Sequence, residues 1–190
     1  MNPLEWWQNI YGEIAPVGHV LREHFHDNWV RFHSLPKSKR YPDTPEENEE
    51  ILHRHVEVAN YLFQREEVIF IYKSRFHVDG DGETQRSQLV GVDLSTQAVL
   101  LRAYPGEIAL EDDDVFLVRG LKANWMPAYF SEIVRQVANE EEHLISFVSP
   151  DSRNIYCPYD GGMDTFSFST SPAKIDKRFS QWKSARPDGM

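Results

Sequence analysis

The sequence has a single cysteine, Cys157, and no long run of apolar residues. One cysteine excludes an intrachain disulfide. Apolar runs such as residues 68–72, VIFIY, are far shorter than the roughly 20 residues that a membrane-spanning helix needs. The N-terminus also lacks the basic start and the apolar stretch of a secretion signal. These absences lead us to expect a soluble cytoplasmic protein with no membrane partner.

Positive charge is also scarce. The chain has 20 Lys and Arg residues against 30 Asp and Glu residues, which gives a net charge of -10. Nucleic-acid-binding proteins normally present a basic surface, because much of their affinity comes from neutralising phosphates. The field of this chain repels phosphate backbones and anionic membranes. Nucleic acid is therefore not an expected partner, whereas a protein partner is compatible with the charge.

What the sequence does contain is enough apolar material for a core. Of its 190 residues, 41% are hydrophobic and 13% are aromatic, a supply that suffices for one folded domain. No repeat, low-complexity block or Gly/Ser linker divides the chain. We therefore expect a single domain over residues 1–190.

Local signals alternate between helices and runs of strands. The clearest helix begins at Pro45, where Thr44 and Glu47 form a capping box, and its apolar spacing continues to about Phe63. Further helices are predicted to begin near Asn2, Pro127 and Ser171, and strands are predicted over residues 29–33, 68–76, 89–94, 98–103, 115–118 and 144–148 and on both sides of residues 161–162.

This order of elements predicts an α+β fold. A doubly wound parallel sheet needs a regular alternation of strands and helices, which the sequence lacks. The short connection at residues 95–97 favours antiparallel pairing, and residues 79–82 are predicted to form a hairpin turn. We expect a mainly antiparallel sheet of about six to seven strands, packed with three to four helices on one face.

The segment of residues 159–164, YDGGMD, places Asp160 and Asp164 on either side of two glycines. Glycine adopts positive φ, or lets another backbone approach closely, at no steric cost. The two aspartates are therefore expected on a defined corner between two strands. Paired carboxylates perform acid–base chemistry in glycosidases. The simpler interpretation is that the aspartates cap the turn through their own backbone.

A second unusual segment, residues 31–42, combines basic groups with a histidine just before the capped helix. Lys39 and Arg40 together with the helix dipole could bind an anion. The glutamates inside the helix start favour the alternative, in which the basic side chains pair with those glutamates.

The histidines and the cysteine provide weaker hypotheses. On a strand, His24 and His26 would share a face, and Asp160 or Asp164 could complete a metal site. No zinc signature such as His-Glu-x-x-His is present, so ordinary hydrogen-bonded histidines are favoured and no metal or cofactor is assigned. His55 lies on an apolar helix stripe and is expected to be a hydrogen-bonded core residue.

Nucleophilic catalysis has little support in the sequence. Cys157 lies within a predicted strand, where it is expected to act as a small apolar residue. The chain contains neither a Gly-x-Ser-x-Gly elbow nor a phosphate-binding glycine loop. No catalytic residue is therefore assigned, and the sequence favours a protein that is not an enzyme.

Two segments, residues 30–42 (VRFHSLPKSKRYP) and residues 159–164 (YDGGMD), with Trp182 and the closing RPDG, together resemble an uncharacterised family of bacterial proteins. The resemblance covers residues 25–65 and 155–189. It implies a bacterial cytosolic α+β domain and transfers no activity, cofactor or catalytic residue. Small acidic bacterial domains of this sort also resemble immunity partners of toxins.

Two functional hypotheses follow. The leading one is a non-catalytic protein-binding domain, of the immunity or regulatory type. The alternative is a small-molecule-binding protein or a hydrolase-like enzyme, which requires a concave pocket joining the two segments. The candidate binding residues are Asp160, Asp164, Tyr159, Arg31, His33 and Arg40.

Overall fold

Five helices and nine strands occur in the part of the chain that the computed structural model describes, residues 1–63, 68–76, 88–89, 92–93, 99–102 and 115–183. The predicted turn at residues 79–82 and the closing RPDG lie outside these residues. The helices are α1 Pro3–Tyr11, α2 Gly18–His24, α3 Pro45–Phe63, α4 Pro127–Ala138 and α5 Pro172–Arg178. The strands are β1 Trp29–His33, β2 Val68–Phe76, β3 Gln88–Leu89, β4 Val92–Asp93, β5 Val99–Arg102, β6 Val115–Asn124, β7 Ile145–Val148, β8 Ile155–Tyr159 and β9 Gly162–Phe166.

Seven of the strands form one sheet in the order β1-β9-β8-β7-β2-β6-β5, and β3 pairs with β4 separately. Every strand pair in the described residues is antiparallel. The predicted α+β fold with a mainly antiparallel sheet is therefore confirmed. None of the described helices has the length and apolar character needed to cross a bilayer.

Both faces of the sheet are covered, so the expectation of a single covered face is wrong. Side chains alternate along a strand. Ile69 and Ile71 of β2 belong to a core with α3, α4 and α5, whereas Phe70 and Tyr72 belong to a second core with α1 and α2. Residues 68–72 already indicate two covered faces, because a strand that is buried on both faces has a nearly continuous apolar run.

The ends of α1 and α3 follow their sequence signals. The Asn2 side chain accepts a hydrogen bond from the Leu4 amide at 2.9 Å, and Gly12 ends α1 with φ +67°. At α3, the Thr44 hydroxyl accepts from the Glu47 amide at 3.3 Å. The Glu47 carboxylate accepts from the Asp43 amide at 2.6 Å, one residue earlier than a capping box requires.

Helix α2 was not predicted, and it corrects the placement of two histidines. His24 is the last residue of α2 and His26 begins a short 3₁₀ turn, so the two do not share a strand face. Val17, Val20 and Leu21 have helical spacing and are all buried, which is the signal that the strand interpretation overlooked.

Candidate functional site

A cleft opens in the sheet where β7 and β8 separate. The two strands pair only at Phe147 with Tyr156 and at Val148 with Ile155. The next residues of β8 include Pro158, which has no N–H to donate to a neighbouring strand. The space beyond this point is a cavity of about 520 Å³.

Three segments form the walls of this cleft. The first is the hairpin of β8 and β9, which contributes Cys157, Pro158, Tyr159, Asp160 and Asp164. The second is the connection from α4 to β7, which contributes Glu140, Glu142, His143 and Leu144. The third is the start of α2, which contributes Val17, Gly18 and His19.

The floor of the cleft is a largely buried ion pair between Arg31 and Asp164, whose side chains are 13% and 4% exposed. The two residues lie opposite each other in the β1–β9 ladder, so their side chains emerge on the same face. Arg31 Nε and Nη2 each donate to a different oxygen of Asp164 at 2.8 Å, and Trp29 Nε1 donates to Oδ1 at 2.7 Å. Asp164 is only 3% exposed. Because both carboxylate oxygens already accept from fixed donors, Asp164 acts as an anchor for Arg31 and is poorly placed to transfer protons.

Aromatic rings hold the other side of Arg31. Its guanidinium lies 4.9 Å from the centre of the Tyr159 ring and 5.5 Å from that of Trp29. Burial lowers the pKa of Arg31, but the hydrogen bonds and charge of Asp164 outweigh burial, so the pKa lies above its ordinary value. Burial also raises the pKa of Tyr159 to about 12, which keeps the phenol neutral near pH 7. Arg31 therefore stays charged and Tyr159 stays neutral near pH 7.

Two glycines permit the close packing around this floor. A Cβ on Gly162 would lie 2.2 Å from the carbonyl oxygen of Phe32 in the paired strand, so only glycine fits there. A Cβ on Gly18 would lie 3.2 Å from Oδ2 of Asp164. Neither Gly161 nor Gly162 has a positive φ. Of the two roles expected for the glycine pair, the structure therefore shows close backbone approach.

The rim of the cleft carries exposed polar contacts. The Tyr41 hydroxyl lies 3.0 Å from Glu140 Oε1 and 3.1 Å from Asp160 Oδ2. Arg40 Nε lies 3.4 Å from the same Asp160 oxygen. In the connection after α4, Glu140 and Leu144 have φ values of +59° and +54°, which non-glycine residues seldom adopt. Such conformations persist where the surrounding structure enforces them, often near binding sites.

The structure brings most of the predicted site residues together. Arg31, Tyr159, Asp160 and Asp164 line the cleft, and Arg40 reaches its rim through Asp160. His33 lies two residues beyond Arg31 on β1, outside the cleft lining.

His33 is a buried residue whose Nε2 has no hydrogen-bond partner within the described part of the chain. Burial, followed by the charges of Arg31 and Arg54, lowers the pKa of His33. This favours a neutral ring.

The basic segment divides between two partners. Lys39 Nζ contacts Glu47 at 2.6 Å, as the structural interpretation of that segment expected, and it also contacts Asp43 at 2.8 Å. Arg40 instead points to Asp160, and Tyr41 was not considered from sequence. Its position inside the KRYP motif was the available signal.

Sequence reasoning also missed the second and third walls of the cleft. Glu140, Glu142 and His143 belong to a charged run, EEEH, which has no motif that marks it as functional. Glu142 is buried and pairs with Lys73 Nζ at 2.5 Å.

Two further buried groups have structural roles. The His55 ring lies between the Ser34 hydroxyl and the Tyr156 hydroxyl, at 2.7 Å from each, so the prediction of a hydrogen-bonded core histidine is confirmed. Burial lowers the pKa of His55 to about 3.

Cys157 is buried next to the Ser146 hydroxyl at 3.1 Å, and burial raises the pKa of its thiol. A raised thiol pKa disfavours nucleophilic chemistry.

Metal ligation finds no support in the residues that are described, where no group of three or more His, Cys, Asp or Glu side chains is placed to hold an ion. The His24 and His26 hypothesis depended on a strand that the structure replaces with a helix end and a turn.

The fold and the cleft define an α+β domain whose antiparallel sheet is covered on both faces and opens between two central strands. The chain belongs to the family described as Domain of unknown function (DUF3885), whose model matches residues 17–187. This match includes both segments on which the family resemblance rested. Neither the curated proteins nor the solved structures gave a significant match.

Proposed function

We propose that this domain is a non-catalytic binding protein whose cleft between β7 and β8 takes a small polar molecule. The observation that supports it best is the cavity of about 520 Å³ over the fixed Arg31–Asp164 pair. Small-molecule sites commonly have volumes of about 300–1,000 Å³ and combine apolar walls with a few well-placed polar groups. Val17, Leu144 and Pro158 supply such apolar wall area.

The groups in the cleft support binding better than catalysis. Asp164 is held by three donors, and Cys157 is a buried thiol with a raised pKa. Asp160 lies on the rim beside Tyr41, away from the floor. A nucleophile paired with a general base, the arrangement that covalent catalysis needs, is not formed by these three groups.

The charge of the lining favours a ligand with a basic nitrogen. Four carboxylates line the cleft, from Glu140, Glu142, Asp160 and Asp164, against the single guanidinium of Arg31. Arg31 compensates Asp164 and Lys73 compensates Glu142. The remaining two carboxylates lie at the mouth beside the Tyr41 hydroxyl, where Arg40 partly compensates Asp160 at 3.4 Å, which leaves Glu140 as the carboxylate that a ligand can neutralise. A protonated amine that enters by the mouth gains favourable electrostatic interactions there.

A thermal-shift screen tests this proposal. The probes are putrescine, spermidine, agmatine, lysine and arginine, with butanol and butyrate as matched compounds that lack the amine. A ligand at 100 times its Kd stabilises a protein by about 2.7 kcal/mol, which for this chain length corresponds to roughly 5–10 °C in Tm. We expect at least one amine, and neither matched compound, to produce such a shift.

Two glutamate variants locate the effect. Glu140→Gln removes a mouth carboxylate and is expected to reduce the shift several-fold, whereas Glu132→Gln, a control on α4 outside the cleft lining, leaves it unchanged. The proposed function is contradicted if none of the amines raises Tm. It is also contradicted if an amine raises the Tm of Glu140→Gln as much as that of the wild type.

A protein partner is the second proposal, and the exposed ring of Tyr41 supports it. Tyr41 is 44% exposed and is surrounded by charged Arg40, Glu140 and Asp160. Aromatic residues are enriched at the centres of protein interfaces. Affinity capture from the native bacterial lysate should retain a stoichiometric protein that a Tyr41→Ala variant loses. Wild-type protein that captures none would count against a partner of the immunity or regulatory type.

Both proposals place the protein in a bacterial cytoplasm, consistent with the sequence signals. Fractionation of the source bacterium, followed by detection of the native protein, tests this. The soluble cytoplasmic fraction should contain it. Recovery from the membrane or the medium would overturn the assignment.

A further inference from the structure

Residues 37–42, which we call the strap, contact the rim of the cleft. At one end of the strap, Lys39 pairs with Glu47 and Asp43 beside the start of α3. At the other end, Tyr41 reaches two carboxylates that belong to opposite walls of the cleft. Glu140 comes from the connection after α4, and Asp160 comes from the turn between β8 and β9.

We propose that the Tyr41 hydroxyl is a clasp that holds the two rims of the cleft together, and that its release opens the cleft. This inference rests on the proposed function, because it describes how a ligand would gain access to the same site. The strap moves at Arg40 and Tyr41, while the Lys39 end stays attached to α3.

The contacts of the clasp suit repeated opening. A phenol has one proton, so Tyr41 donates to only one of the two carboxylates at a time. Its hydrogen bond to Glu140 is the main cause that raises the pKa of Tyr41, which keeps that proton in place. The supporting contact from Arg40 to Asp160 spans 3.4 Å, and the Arg40 side chain is 61% exposed. Exposed contacts of this kind are weak individually.

The wall of the cleft formed by β8 and β9 carries a native reporter of opening. Cys157 lines the cavity, is only 4% exposed and is the single cysteine of the chain. A small uncharged thiol reagent such as N-ethylmaleimide can reach this thiol only when the surrounding structure opens. The rate of modification at fixed pH therefore measures opening directly, and the measurement needs no ligand.

The experiment compares the wild type with two tyrosine variants. Tyr41→Phe removes the clasp hydroxyl and keeps the ring, whereas Tyr129→Phe removes a hydroxyl that donates to the Leu89 carbonyl at 3.0 Å near the other end of α4. We expect Tyr41→Phe to be modified about three- to tenfold faster than the wild type, the range that the loss of one hydrogen bond represents. Tyr129→Phe should react at the wild-type rate.

A urea series separates opening of the cleft from global unfolding. Opening at the rim exposes little surface, so the modification rate should depend only weakly on urea at low concentrations. If the modification rate of the wild type depends on urea as strongly as global unfolding does, the clasp proposal is wrong. Equal rates in Tyr41→Phe and the wild type, or equal acceleration in both variants, would also overturn it. Because this experiment uses no ligand, its outcome does not decide whether the cleft binds an amine. The thermal-shift screen decides that separately.

Discussion

The floor and the rim of the cleft use similar residues in opposite ways. Both place an arginine and a tyrosine around an aspartate, Arg31 and Tyr159 at Asp164, and Arg40 and Tyr41 at Asp160. The floor is buried, bidentate and closely packed, whereas the rim is exposed and held by longer contacts. Removing one partner of a buried ion pair is costly, because the other charge stays buried and unpaired. Removing one partner of an exposed ion pair costs little. The floor thus fixes the shape of the site, and the rim is free to regulate it.

The largest effect should come from Asp164→Ala. This change leaves the Arg31 guanidinium buried without its carboxylate, and breaking a buried pair in this way costs about 3–5 kcal/mol. Denaturant unfolding monitored by tryptophan fluorescence measures the loss. Asp160→Ala at the rim is the matched control, with an expected change within about 0.5 kcal/mol. Similar losses in the two variants would remove the distinction between floor and rim.

The next effect concerns the glycine pair at the hairpin. Gly162→Ala places a methyl group against the Phe32 carbonyl and forces β1 away from β9, at a cost of about 2–3 kcal/mol. Gly161→Ala meets side chains and no backbone atom, the Tyr159 ring edge at 3.3 Å and Arg40 at 3.7 Å, so a small change is expected. The same unfolding experiment compares the two. If Gly161→Ala proves the more damaging, the close approach of the strands is not the reason for the glycine pair.

The pH dependence of stability should report the burial of His55. His55 has a folded-state pKa of about 3 against an ordinary value of 6.5, so the unfolded chain binds its proton first as the pH falls. The stability that the neutral ring contributes is complete above about pH 6.5, and it is lost toward pH 3 at up to about 1.4 kcal/mol per pH unit.

Unfolding of a His55→Gln variant at several pH values tests this assignment. Glutamine cannot ionise in this range, so the variant should flatten the dependence of stability on pH. An unchanged slope in His55→Gln would contradict the assignment.

The smallest effect on stability should come from Tyr41→Phe. The ring is exposed and only the hydroxyl is lost, so the free energy of unfolding should fall by about 0.7–1.4 kcal/mol, the same loss that a three- to tenfold rise in opening represents. Thermal or denaturant unfolding checks this directly. A loss of 2 kcal/mol or more would show that the strap is part of the folded core and not a movable rim.

Much of the fold could be predicted because its signals are local. The caps at Asn2 and Thr44 and the apolar spacing of α4 act within a few residues, and those elements formed as expected. Helix α2 was missed because its short stripe is adjacent to alternating histidines that suggested a strand.

The site could be predicted only in part, because it depends on long-range register. Arg31 and Asp164 are 133 residues apart in the chain and meet only through the β1–β9 ladder. The cleft itself arises where β7 and β8 stop pairing near Pro158, a geometry that no local pattern specifies. Glu140 contributes through an unusual backbone conformation that its charged run did not indicate.

The most direct test of the binding site is protection of Cys157 by a bound amine. The wild type is treated with N-ethylmaleimide with and without the amine that gives the largest thermal shift, at a saturating concentration. Because Cys157 lines the cavity, a ligand in the cleft should slow its modification at least about tenfold. An unchanged rate of modification at saturation would show that the amine binds elsewhere and would contradict the cleft as the binding site.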